Sequence, residues 1–436
     1  MKLYLHIVHV GSLLAIVFSA LGFTQIQFTE HPIADYYYNP WSVFGIDMDG
    51  DGDTDVIASG RYGHSITWWE NDGNENFLQH TISTTSYYAM VVHAMDIDSD
   101  DDIDVLCASQ TNGVELWENL GDQNFTRHII ANWPYVNYVA VADVDSDQDI
   151  DVLACCCEGG INRMGWIENE DSLVFTEHIV ASDWDHANSV YGANLDSDQD
   201  MDLIGTASWA GEIAWFENDG NENFTKHIIL DTSARPSCAH ADDVDSDGDI
   251  DVLATVCYVN QVLWFENDGN QGFTQHIIGT NFLRPHSVRT EDLDNDGDID
   301  VLAAAINSDE IAWWENDGVQ NFTKHTISSN FDGATGIDAK DVDSDGDIDI
   351  LGAAQFGNKI TWWENTPVGI KEEQTAYSAR YIYIPTIISG PLELPTHKRC
   401  KVYDVMGREV APSKLKPGIY FIEVDNEIVQ KVIKAR

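Results

Sequence analysis

Residues 243–278 read DVDSDGDIDVLATVCYVNQVLWFENDGNQGFTQHII, and this stretch decides the fold. It opens with a carboxylate at every second position, runs into the apolar segment DVLATV, turns at YVN, resumes as QVLWFEN, turns again at DGNQG and ends in FTQHII. With CAHADD just ahead of it, the unit holds four short β-rich runs separated by turn residues. The unit recurs along the chain. Acidic loops begin at Asp47, Asp96, Asp143, Asn194, Asp243, Asp292 and Asp341, spaced by 49, 47, 51, 49, 49 and 49 residues. Trp68, Trp117, Trp166, Trp215, Trp264, Trp313 and Trp362 run in step, each 49 after the last, and His31, His80, His128, His178, His227, His276 and His325 form a third series at intervals of 49, 48, 50, 49, 49 and 49.

Four strands repeating every 40–50 residues is the signature of a propeller blade, because a sheet that small cannot bury both faces without neighbours. Seven copies predict an all-β, seven-bladed β-propeller over residues 24–365. The ends of the repeat predict how the ring closes. An orphan outer-strand motif, Phe28-Thr29-Glu30-His31, precedes the first loop, and the seventh unit stops at Lys359–Glu364 without one. The N-terminal strand is expected to complete blade seven and remove an open sheet edge.

The chain has 436 residues with 22 Lys+Arg against 74 Asp+Glu, a formal charge of −52. Such a field excludes nucleic acid and anionic membrane surfaces as partners. With 43% hydrophobic and 11% aromatic residues, the acidity does not signify disorder. Residues 366–436 hold 11 of the basic side chains and only 8 of the acidic ones, which places a domain boundary near residue 366. Lys2 and the apolar run from Gly11 to Phe23 read as a signal peptide over residues 1–22. The run is shorter than the ~20 residues a membrane span needs, so the mature chain is expected to be exported with no transmembrane segment. The seven cysteines show no disulfide spacing and read as buried thiols, with Cys238 and Cys257 a possible pair.

The acidic loops carry the clearest chemistry. Their alternate positions are Asp47, Asp49, Asp51, Asp53 and Asp55; Asp96, Asp98, Asp100, Asp102 and Asp104; Asp143, Asp145, Asp147, Asp149 and Asp151; Asn194, Asp196, Asp198, Asp200 and Asp202; Asp243, Asp245, Asp247, Asp249 and Asp251; Asp292, Asp294, Asp296, Asp298 and Asp300; Asp341, Asp343, Asp345, Asp347 and Asp349. Five carboxylates in nine residues repel one another, and no nearby base neutralises them. Calcium resolves this: side chains at positions 1, 3, 5 and 9 with the carbonyl at 7 supply its oxygen ligands, for up to seven ions. The glutamate that an EF-hand needs at position 12 is replaced by Ala58 in the first loop, and the flanks are strand-like. Asp101, Gln148 and Gln199 take the place of the position-6 glycine in loops two to four, which are expected to bind more weakly. At the ~0.1–1 mM affinity of extracellular modules and about 1 mM calcium, each site adds roughly 0.4–1.4 kcal/mol.

These loops resemble those of FG-GAP or VCBS repeats, the calcium-binding blades of integrin-like propellers, over residues 28–365. The resemblance implies the fold and the metal. Function is left open by it, since such propellers serve as adhesion modules, lectins and parts of enzymes.

Residues repeated in every blade, including the register tryptophans with Trp69, Trp314 and Trp363 and the register histidines, are expected to be structural. Antiparallel connectivity puts the first and third turns of each blade on one face with the acidic loops, and the remaining connections on the other. That second face carries the residues that break the repeat. Arg61, Tyr62, His64, Trp133, Tyr135, Trp184, His186, Trp209, Arg235, Tyr258, Arg284 and His286 are the candidate ligand-binding residues, since flat aromatic faces beside Arg, His and Asn suit sugars. His93, His240, Arg289 and Asp338 are expected to line the central channel. The expected function is a secreted or outer-surface binding and adhesion module for carbohydrate or a cell-surface protein. The alternative is an extracellular polysaccharide lyase or hydrolase using the acid, base and cationic groups of the same face.

Residues 366–378 read as a linker, and 379–436 as a small β-domain. KVYDVMGREV, LKPGIYFIEV and the terminal KVIKAR resemble the type A sorting domain of the type IX secretion system. The resemblance implies an immunoglobulin-like β-sandwich, the type IX machinery as partner, and export across an outer membrane.

Overall fold

The computed structural model describes residues 26–367 except 122, 159–160 and 171–172, together with 386–388, 400–404, 408, 410, 416, 418–424 and 427–434. Among these residues there is no helix, and hence none long and apolar enough to cross a membrane. Two units separate between residues 369 and 370.

The first unit is seven four-stranded antiparallel sheets. Blade one is Pro40–Ile46, Asp55–Gly60, Ser65–Asn71 and Phe77–Ser83, in that order from the axis outward, and the next five blades repeat it. Blade seven takes its fourth strand from the N-terminus: Ile26–Ala34 pairs with Lys359–Pro367, with His31 opposite Trp362. The closing strand is therefore present as expected, and the third strand of blade seven runs two residues past the expected limit at 365.

Burial follows position in the blade. Second strands such as Asp55–Gly60 and Asp251–Val256 are buried at every residue, because blades cover both of their faces. Outer strands such as Phe77–Ser83 expose residues on the outward side. The core is seven clusters, one at each blade–blade boundary. The tryptophan doublets explain how one strand serves two boundaries: alternate side chains point to opposite faces, so Trp69 packs with blade seven and Trp68 with blade two. A Trp buries 150–250 Å², which at roughly 25 cal/mol per Å² contributes about 4–6 kcal/mol as an upper bound.

Numerical spacing misleads at one tryptophan. Trp117 lies opposite Val105 and Arg127, the place that Trp69 holds in blade one, and Leu116 takes the Trp68 place. The turn between the second and third strands is one residue shorter in blade two. The Asp-to-Asn bond across it spans 15 residues there against 16 in blade one and 18 in blade three, so a constant interval of 49 crosses a change of register.

The other register residues form one repeated triad. The histidine ring stacks on the tryptophan of the adjacent strand, as for Trp68–His80 at 4.5 Å and Trp166–His178 at 4.4 Å. Its Nε2 bonds the glutamate two residues after that tryptophan, His80 to Glu70 at 2.7 Å and His325 to Glu315 at 2.6 Å.

In the second unit the described strands form one sheet, ordered Thr386–Ile388, Glu427–Lys434, Gly418–Val424 and Cys400–Asp404, the first pair parallel. A second sheet, which a sandwich requires, is not among the described residues. The expected signal peptide and residues 368–378 of the expected linker also lie outside them.

Candidate functional site

Six of the seven acidic loops are shaped by their own first residue, an aspartate; Asn194 of loop four makes no such bond. Asp47 Oδ1 accepts from the Gly50 and Asp51 amides at 2.8 and 3.1 Å, and Oδ2 from the Gly52 amide at 3.0 Å. Position 6 is left-handed in all seven loops, whether glycine (Gly52, φ 98°) or not (Asp101, φ 72°; Gln148, φ 83°; Gln199, φ 83°). Loops two to four thus keep the shape at a cost of roughly 1–2 kcal/mol each.

Oxygen atoms converge inside the loops. Those of Asp47, Asp49 and Asp55 lie within 4.8 Å of one another, as do those of Asp96, Asp98 and Asp104, of Asp143, Asp145 and Asp151, of Asp243, Asp245 and Asp247, and of Asp292, Asp294 and Asp296. One oxygen each of Asp98, Asp143, Asn194, Asp196, Asp245 and Asp341 is buried without a hydrogen-bond partner. These all occupy loop positions 1 or 3, and an orphaned anionic oxygen is what a hard cation satisfies. Burial, with neighbouring carboxylates adding to it, raises the Asp294 carboxyl to about 6.

Position 9 has a second task. Asp55 is buried and accepts from the Asn71 amide at 2.7 Å and the Met48 amide at 2.9 Å. Desolvation pushes it up to about 7 despite those bonds. Position 7 turns the other way: the Asp53 carboxylate sits where a Cβ on Gly73 would clash, over the next turn on the same face.

Sequence reasoning passed over the asparagine that ends each third strand. Asn267 Nδ2 donates to Leu195 O of the preceding blade at 2.8 Å and to Ile250 O at 2.9 Å. Asn71, Asn169, Asn218, Asn316 and Asn365 make the same inter-blade bond, Asn71 reaching Val342 of blade seven. The acceptor is the carbonyl of loop position 2 in all six, so six of the seven acidic loops are tied to the following blade, Asn119 of blade two being the exception. The Glu-Asn pair after each tryptophan was the available signal.

The opposite face is organised by a second ring. Asn39, Tyr88, Tyr135, His186, Arg235, Arg284 and Gly333, each eight residues before its acidic loop, are all left-handed. Their carbonyls accept from the amides of Arg61, Gln110, Cys157, Ser208, Cys257, Ile306 and Gln355, so every blade closes its inner corner alike. Within this ring a cavity of about 310 Å³ opens onto the channel and is lined by Arg61, His186, Arg284 and His286 among others. An adjoining one of about 650 Å³ is lined by His186, Trp209, Arg235, Tyr258 and Arg284. Asn137, Asn188, Ser237 and Cys257 also line this mouth and were not singled out from sequence. They surround it only because the strands converge there.

The candidates do not all lie together. Tyr62 and His64 pack on Tyr88 at 5.9 and 5.0 Å, and Tyr135 is half-exposed; none of the three lines either cavity. Trp133 and Trp184 are corrected: both are buried, and their indoles donate to Glu177 at 2.7 Å and Glu212 at 2.6 Å. They fill the inter-blade space that Tyr37, Phe282 and Phe331 fill elsewhere. His240 and Asp338 are buried along the channel and His93 is half-buried there; desolvation holds His93 down to about 4 and His240 to about 3, with Arg289 reinforcing both. Desolvation likewise holds half-buried His286 down to about 4, and its Nδ1 lies 3.1 Å from Thr335 O. Cys238 and Cys257 are free thiols, Cys257 Sγ facing Pro285 O at 3.2 Å, so the possible pair is not formed.

A family model described as FG-GAP-like repeat matches residues 47–107, 96–154, 194–254, 243–303 and 292–352, each match running from one acidic loop through the next. No curated protein matches the chain. Among solved structures, an Agrocybe aegerita lectin described for specific recognition of non-reducing terminal N-acetylglucosamine has TM-score 0.50 and 17% identity, over 67% of this chain and 81% of that one. A streptogramin B lyase has TM-score 0.56 and 13% identity, over 78% of this chain and 98% of that one. At such identities the likeness is one of fold. The matched repeats cover more than half of the residues, and the chain belongs to the FG-GAP-like repeat family.

Proposed function

We propose that the protein is a calcium-stabilised binding propeller, exported to the cell surface or medium, that takes a carbohydrate or cell-surface ligand on the face opposite its acidic loops. The observation that carries this reading is the pairing of exposed Trp209 (57%) and Tyr258 (62%) at one mouth with Asn188 and Asn260. Exposed aromatic faces beside amide groups supply stacking and hydroxyl recognition together. Calcium at positions 1, 3, 5 and 9 would neutralise the carboxylates, and the orphaned loop oxygens support a cation there. Type IX export through the C-terminal unit belongs to the same proposal and rests on its sequence resemblance; loss of secretion on removing residues 380–436 is the expected result.

Two experiments test it. Glycan-array binding by the calcium-loaded protein should be lost in Trp209→Ala and Tyr258→Ala, and the absence of any glycan or cell-surface ligand would refute the reading. Chelation should lower the melting temperature in proportion to roughly 3–10 kcal/mol over seven sites, and identical melting in calcium and chelator would remove the metal from the account. The lyase or hydrolase alternative draws on His286, a neutral imidazole lining the cavity beside Arg284. Product formation abolished by His286→Ala would favour it.

A further inference from the structure

The chain carries 74 acidic residues, yet among the described residues no carboxylate lines either cavity of the ligand face. Arginine does: Arg61, Arg235 and Arg284 stand at the two mouths, with Arg289 deeper in the channel. Four other basic residues of the propeller are paired with acids, Arg127 with Glu115, Lys226 with Glu212, Lys324 with Glu310 and Lys359 with Asp35, while Arg163 lies over the buried Trp133 ring at 5.2 Å. Arg289 faces Asp338 and Tyr138. Arg61, Arg235 and Arg284 have no such carboxylate among the described residues, and Arg61 Nε is buried without a hydrogen-bond partner.

Two of the three guanidiniums are also held in place by aromatic rings. Arg235 lies 4.5 Å over the Tyr258 ring and 5.9 Å over Trp209, and Arg61 lies 4.6 Å over Trp41 and 5.3 Å over Tyr62. Stacking uses the flat face of a guanidinium and leaves its edge N–H donors for a ligand. Arg235 and Arg284 sit at φ 57° and 55°, where equivalent positions in blades one and seven carry Asn39 and Gly333, residues that adopt this conformation readily. Side chains with no local reason to be left-handed are held there by the ring of corner hydrogen bonds, a pattern associated with function.

We propose that this face selects sugars bearing an oxyanion, a uronate carboxylate or a sulfate ester, through Arg61, Arg235 and Arg284. Both groups present paired oxygens that a guanidinium edge meets with two parallel hydrogen bonds. Selectivity follows from the surrounding field: the acidic residues that give the chain its charge of −52 lie mostly in the propeller and repel an anion from the rest of its surface, so the arginine-lined mouth is where the propeller admits it. The inference rests on the reading of this face as the ligand face, and its test separates the two.

Full-length calcium-loaded protein would be titrated with oligogalacturonate and its methyl ester, and with a sulfated galactan oligosaccharide and its desulfated counterpart. Tryptophan fluorescence and calorimetry would follow binding. The charged member of at least one pair is expected to bind about tenfold or more tightly than its neutral partner, and to weaken as salt rises from about 50 to 500 mM. Arg235→Gln and Arg284→Gln should lose that preference with unchanged melting temperatures, and Arg284→Lys, should Arg284→Gln misfold, should retain charge but lose affinity. Which pair shows the difference identifies the oxyanion. Neutral and charged sugars bound alike, or a preference untouched by the arginine variants, overturns the inference and leaves the ligand-face reading standing. Failure of every sugar to bind, charged or neutral, overturns it as well.

Discussion

Replacing Asn267 with Ala tests whether the inter-blade asparagines hold the ring together. Asn267 is 1% exposed; its Nδ2 makes bonds of 2.8 Å to Leu195 O across the blade boundary and 2.9 Å to Ile250 O, and its Oδ1 accepts from the Gly269 amide at 3.2 Å. Truncation removes all three and leaves buried carbonyls without a donor. At about 1 kcal/mol net per bond, and about 1–3 kcal/mol for a buried group left unsatisfied, the expected loss is ~3–5 kcal/mol. Blade two provides the control. Asn119 makes only a 3.3 Å bond from Nδ2 to Ile103 O, its Oδ1 has no partner, and no inter-blade bond is formed. Asn119→Ala should therefore cost about 1 kcal/mol. Chemical denaturation in calcium and in chelator measures both, the chelator series removing any indirect effect through the loops. Equal destabilisation by the two variants would falsify the claim that the inter-blade bond, rather than burial of an amide, is what stabilises the ring.

Removing residues 26–34 takes away the fourth strand of blade seven with its His31–Glu364 bond of 3.0 Å and uncovers the edge of Lys359–Pro367. A loss exceeding ~5 kcal/mol and concentration-dependent association are expected; an unchanged monomeric melting curve would show that blade seven closes without it. The channel histidines make one contribution to acid sensitivity, and its sign follows from their burial. His93 and His240 are held near 4 and 3 by burial, with Arg289 adding its charge to both and Lys340 to His93, while Tyr191 packs on His240 at 4.6 Å. Their folded values lie below the unfolded value of 6.5, so these imidazoles take up protons first in the unfolded chain and their share of the stability is lost as pH drops from about 6.5 toward 4. Relative to the wild type, His240→Gln should flatten that decline by about 2–3 kcal/mol between pH 7 and 4, and parallel pH profiles would refute the assignment.

Blade number, strand order and the closing strand were legible in the sequence because a propeller repeats one solution seven times: a residue type returning once per unit, such as His31 through His325, takes the same strand position in each blade. The acidic loops were legible for a related reason, since nine consecutive residues contain the whole cluster. Register within a blade was not. A one-residue change in a turn moved Trp117 onto the Trp69 position, and only cross-strand pairing reveals which face a tryptophan occupies. Burial of the non-repeating aromatics escaped as well, because Trp133 and Trp209 both come from irregular connections yet one is enclosed between blades and the other is exposed. Local chemistry thus determined the strands, the turns and the anionic loops. Convergence of seven inner corners, the bonds from six of the asparagines to the blade before them, and the gathering of Arg61, Arg235 and Arg284 around cavities that no described carboxylate lines were decided by ring closure, which juxtaposes residues tens to hundreds of positions apart and leaves no trace in local spacing.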